Sequence, residues 1–217
     1  MKALSNSFNV RISVKWQEIT LIITKFKSKK SGNEELQLIS AQMDVIRSGI
    51  RSLIYARQID VLKDSNTYFW ISTCNAHYGH FIESWAKCFG KQSEDTHWKH
   101  LDIKKESFRK EMFKALNIHS GEFVLYLKDA LALRNQFFSH TDLSQDSITL
   151  NFPKLDLALD SFIFLYKVLQ RRLLDAESLV VDQGPRSLER WITNLKEEAD
   201  QVISTSYSAS KDIREHQ

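Results

Sequence analysis

An arginine, an asparagine and a histidine surround two phenylalanines in the stretch LRNQFFSH, residues 133–140. The phenylalanines suit a core. The polar residues suit either a surface or a reaction centre. An imidazole can take the proton of a ribose 2′-hydroxyl near neutral pH. A guanidinium can grip a phosphate with two donors and offset the charge that builds as phosphorus is attacked. Arg134 and His140 are therefore candidates for metal-independent cleavage of RNA, with Asn135 fixing the arginine. DNA lacks the attacking hydroxyl, so the chemistry would be specific to RNA. One histidine supplies a base but no acid for the departing 5′-oxygen. A two-fold dimer with two copies of the motif in one groove would supply both.

Spacing sets a condition on this reading. Six residues on an ideal helix separate Arg134 from His140 by about 120° of azimuth and about 9 Å of rise. A bend or loosening near Ser139 would let both lean into one cleft. Ser139, Thr141 and Asp142 compete for backbone hydrogen bonds and can end the helix there. Asp142 could orient His140 or cap the turn, and the turn is the simpler role. Leu133, Phe137 and Phe138 anchor the apolar side, which puts the Arg134 guanidinium at the core's edge. On spacing alone, a helix cap and a surface charge are the simpler account, since Arg and His within seven residues occur by chance in many helices.

The elements that must carry these residues read as helices. A chain of 217 residues, 42% hydrophobic, can bury one sizeable core or two small ones. With 6 Gly and 2 Pro, a turn-rich sandwich is disfavoured. Apolar residues recur at three and four spacing over 34–62. An aromatic helix over 67–89 follows, ended by Gly90 and expected to cross the centre of the bundle. Residues 91–104 are polar and read as a loop or short helices. Further helices are predicted over 105–116, 121–140, 155–174 and 186–204, with Pro185 and Ser187 at the start of the last. The fold class is an all-α antiparallel helical bundle. Residues 1–33 form a basic N-terminal extension, 34–206 the helical domain and 207–217 a flexible tail. Within the extension, residues 8–26 fit a strand or a helix.

Charge adds little as a total, +3, and more as a distribution. Residues 1–30 carry +6 and the remainder −3. The run KFKSKK, 25–30, could touch phosphates or be a solvated linker. No apolar run reaches about 18 residues and no secretory signal is evident, so a cytoplasmic protein without membrane contact is expected. Cys74 and Cys88 fall about 21 Å apart on one helix, which makes them free thiols.

Other polar residues compete for a role. His77 and His80, and His97 and His100, each share a helix face and could bind a metal in a metal-dependent hydrolase. No HExxH, CxxC or close carboxylate accompanies them, so no metal and no other cofactor is expected. Trp85, Trp98 and Trp191 could stack bases. Trp85 reads as core. Trp98, between His97 and Lys99, could pack a loop or contact RNA. With Lys99, Lys104, Lys105, Arg109 and Lys110 it makes a second basic concentration, a candidate lining for an RNA groove.

The Arg134–Asn135–His140 pattern, with five residues between arginine and histidine, resembles the HEPN superfamily of small helical domains. ESWAKCFG (83–90) and THWKH (96–100) extend the likeness to an uncharacterised HEPN-like group related to abortive-infection proteins, over roughly residues 36 to 175. The resemblance implies an RNase of toxin–antitoxin or phage-defence systems, acting as a homodimer on RNA. It implies His140 as acid–base, Arg134 as phosphate ligand and Asn135 as support. An antitoxin or regulatory protein is a further partner it allows. One branch carries a tyrosine two positions after the histidine. Asp142 stands there, so control by nucleotidylation is not expected. Some members are non-catalytic modules that bind RNA or protein, the main alternative to the nuclease.

Overall fold

The structure, a computed structural model, describes residues 33–62, 68–135, 154–175, 185 and 187–210. The ambiguous segment 8–26 and the basic run 25–30 lie outside the described residues.

Among the described residues the chain forms six α-helices and no strand. They are α1 Asn33–Val61, α2 Tyr68–Phe89, α3 Lys105–Leu116, α4 Ser120–Leu133, α5 Leu155–Asp175 and α6 Leu188–Ala209, with a short 3-10 turn over Trp98–His100. In α1 the predicted stripe is the buried one: Ile39, Met43, Ile46, Ile50 and Leu53 are all at or near zero exposure. Glu34 and Glu35 occupy its first turn, where carboxylates complement the helix dipole.

Cross-contacts give the helix directions. Ser48 meets His80, and the Cys74 thiol donates to the Ala56 carbonyl, so α1 and α2 are antiparallel. Arg57 pairs with Asp156 near one end of α5 and Glu35 with Arg172 near the other, so α5 is also antiparallel to α1. Helix α6 instead runs parallel to α1, with Trp191 facing Arg47 and Arg51 at one end and Tyr207 packed on Ile59 at the other. Gly49 sits where α1, α2 and α5 converge. A Cβ there would lie 2.8 Å from the Phe162 ring and 3.0 Å from the Ser84 Cβ.

The centre of the bundle belongs to α5 rather than to the aromatic helix. Every residue from Ala158 to Tyr166 is buried, and nine successive positions cover the whole helix circumference. Helix α2 by contrast begins on exposed Tyr68 and Phe69. Its inner half supplies Phe81, Trp85 and Phe89, whose rings meet Phe162 and Phe123. The buried Trp85 Nε1 donates to Ser161 Oγ at 2.8 Å, and that hydroxyl donates to the Ala158 carbonyl at 2.8 Å. The indole N–H and the Ser161 hydroxyl are thus satisfied from within.

Gly90 ends α2 for a steric reason. Its backbone is not left-handed, but a Cβ would fall 2.4 Å from the Ala86 carbonyl oxygen. Asn117 ends α3 at φ 52, and the amides of Asn117 and Ile118 return to the carbonyls of Lys114 and Phe113, the Schellman pattern. Ser187 caps α6 by accepting from the Arg190 amide. That helix runs beyond residue 204 to Ala209. Tyr207, placed by sequence at the start of a flexible tail, is buried in a small cluster with Ile59 and Trp70.

Candidate functional site

Helix α4 delivers the arginine. Its buried positions Phe123, Tyr126, Ala130 and Leu133 hold it against the core, and Glu122 accepts the His119 amide at 2.7 Å to close its first turn. The regular α-helix stops at Leu133. At Arg134 and Asn135 the backbone widens into a π turn, a feature that recurs at functional sites. Ser139, near which a bend was expected, lies outside the described residues.

Arg134 is buried, with 8% of its surface exposed. Its Nε and Nη2 both donate to Asn135 Oδ1, at 3.1 and 3.0 Å. Nε also lies 3.8 Å from Glu83 Oε2, an ion pair longer than a hydrogen bond. The Asn135 carbonyl oxygen thus lies against one edge of the guanidinium. His140 and Asp142 lie outside the described residues.

Glu83 is the member that the motif does not reveal. It is the one carboxylate in α2, where aromatic and small residues dominate. That isolation is the signal a reader of the sequence could have used. One turn earlier on the same helix, His80 Nε2 lies 2.9 Å from Ser48 Oγ.

Trp98 takes the packing role of the two weighed for it, and base stacking needs a face it does not offer. It is 4% exposed, with one face on Phe108 at a ring-centroid distance of 4.4 Å and the His97 ring stacked at 5.9 Å. Gln42 fixes this connection by donating to the Thr96 and His97 carbonyls, at 3.1 and 3.3 Å. Lys99 is half-buried and reaches Gln92 at 3.5 Å. Arg109 and Lys110 stand exposed on α3 beside Lys105 and Lys114.

The four histidines weighed as metal ligands have other employment. His77 meets the Tyr55 ring edge-on at 5.4 Å. His97 is buried and its Nδ1 accepts from the Lys99 amide at 3.1 Å. Burial, with Lys99 and His100 adding, pushes its pKa down to about 4. His100 Nε2 faces the carbonyls of Gln92 and Glu94. Among the described residues no three His, Cys, Asp or Glu side chains converge as a metal site would need. Cys74 and Cys88 are free, and burial raises each thiol to about 12, which leaves neither as a thiolate near neutral pH. No described helix is long and apolar enough to cross a membrane.

No protein-family model, curated protein or solved structure matches this chain. The site is left to be judged on its chemistry. It offers a guanidinium with one edge clamped by an amide, a carboxylate close enough to exchange with a phosphate, and a widened backbone turn that carries the cation.

Proposed function

We propose that this chain is a HEPN-like helical domain that cleaves RNA without a metal ion, with Arg134 as phosphate ligand and His140 as acid–base. The observation that carries this reading is the double donation from Arg134 to Asn135 at the π turn, which fixes the guanidinium in orientation before any ligand arrives. A cation held in this way stabilises transition-state charge without reorganising. His140 takes the 2′-hydroxyl proton, O2′ attacks phosphorus, and the bond to the 5′-oxygen breaks as that oxygen gains a proton. The proton comes from the histidine of a second copy of the chain across a two-fold groove. The products carry a 2′,3′-cyclic phosphate and a 5′-hydroxyl. A role in toxin–antitoxin or phage-defence systems, with an antitoxin or regulatory protein as partner, belongs to the same reading.

The Arg134–Glu83 pair favours a second reading. It ties α4 to α2, as a structural clamp in a non-catalytic RNA- or protein-binding module would. An RNA cleavage assay in EDTA, with wild type beside His140→Ala, separates the two. The nuclease reading expects cyclic-phosphate ends from the wild type and a loss of roughly 100-fold or more in the variant. Equal cleavage by both proteins would leave the binding module.

A further inference from the structure

A polar cleft lies between α1 and the start of α6, lined among the described residues by Asp44, Arg47, Ser48, Arg51, Pro185 and Trp191, with a volume of about 340 Å³. That volume lies within the range of small-molecule sites. On the α1 side, Arg47 and Arg51 are one turn apart and share a face. Arg47 is held by an ion pair to Asp44, while Arg51 is exposed. Among the described lining residues there are two guanidiniums and one carboxylate. Ser48 adds a hydroxyl, itself 2.9 Å from His80 Nε2.

The opposite wall is fixed. Gln170 donates to the Pro185 carbonyl at 3.0 Å, and Lys167 pairs with Glu189 at 2.9 Å, which ties the start of α6 to the central helix. Trp191 packs against the core and remains half-buried, so part of its indole is left to the cleft. A cationic rim facing an indole suits a ligand that joins an anion to a flat ring.

We propose that this cleft binds a nucleoside phosphate, with Arg51 on the phosphate and Trp191 against the base. The ligand is either a free mononucleotide or one nucleotide of an RNA strand. The site does not depend on cleavage at Arg134.

Isothermal titration of the full chain with adenosine 5′-monophosphate and with an eight-nucleotide single-stranded RNA tests this, using wild type, Arg51→Ala and Trp191→Leu. Arg51→Ala and Trp191→Leu should each weaken nucleotide binding by roughly tenfold. Because Arg51 is exposed, its substitution leaves the fold intact even if Trp191→Leu does not. Weakened monophosphate binding with unchanged RNA binding assigns the cleft to a free nucleotide. Weakened RNA binding assigns it to a nucleotide within the strand. If neither ligand responds to Arg51→Ala, the proposal is overturned.

Discussion

Trp85 and Glu83 are two residues apart on α2, yet they belong to different kinds of environment. Trp85 has no exposed surface, and its one polar atom is answered by Ser161, which is answered in turn by the Ala158 carbonyl. Nothing in that chain of bonds is available to a ligand. Glu83 is 41% exposed in its side chain and stands 3.8 Å from the Arg134 guanidinium, close enough for attraction and too far for a hydrogen bond. Around Trp85 the core gains stability from close ring packing and from a polar atom answered internally. The corner keeps a charge contact that a phosphate could replace. Two positions on α2, about 200° apart around its axis, thus face different surroundings.

The largest effect expected on that contrast is in the core. Trp85→Ala removes an indole whose ring meets Phe89, Phe123 and Tyr126 and should cost about 3–5 kcal/mol in denaturant unfolding. A loss below about 1 kcal/mol would mean that this face is not the saturated one, since truncating a tightly packed aromatic costs several times that.

A smaller effect is expected with pH at His97. Its folded pKa, about 4, lies below the ordinary 6.5 because burial disfavours the charged ring. The stability this burial contributes is fully present above pH 6.5 and is lost as pH falls through about 4. The unfolding midpoint of the wild type should therefore fall more between pH 7 and pH 4.5 than that of His97→Gln. Identical pH dependence in both would show that His97 is solvated.

The smallest stability change is expected on the outer face of α3. Reversing Arg109 and Lys110 to glutamate should move stability by less than about 0.5 kcal/mol, because both are exposed. RNA binding should weaken and its salt dependence should flatten. Unchanged binding would remove this face from the RNA surface and leave the Arg134 corner alone.

The helices were legible because their signal is local. The recurrence of Ile39, Met43, Ile46 and Ile50 comes from chain periodicity, and the caps at Asn117 and Ser187 need only their neighbours. Long-range partners were not legible. Trp98 sits among polar residues, and its burial depends on Phe108 and on Gln42, which binds the same loop from α1. Tyr207 lies in a polar tail until Trp70 and Ile59 are placed beside it. The centrality of α5 follows from which helices surround it, whereas α2 looked central because it is rich in aromatics. The contact between Arg134 and Asn135 was legible from residue type, since adjacent residues can clamp one another. Glu83 was not found, because 51 positions separate it from its partner. The π turn left no mark in composition, as it depends on which carbonyl each amide selects.

The measurement that bears most directly on the contrast between core and corner is the RNA cleavage rate of Arg134→Ala, read beside its unfolding free energy. The guanidinium's partner Glu83 can be solvated when the arginine is removed, so stability should fall by only about 1–3 kcal/mol and the variant should remain folded. Cleavage should fall by roughly 100-fold or more, because the phosphate loses its fixed cation. A folded variant that cleaves RNA at the wild-type rate would contradict the assignment of Arg134 to the phosphate.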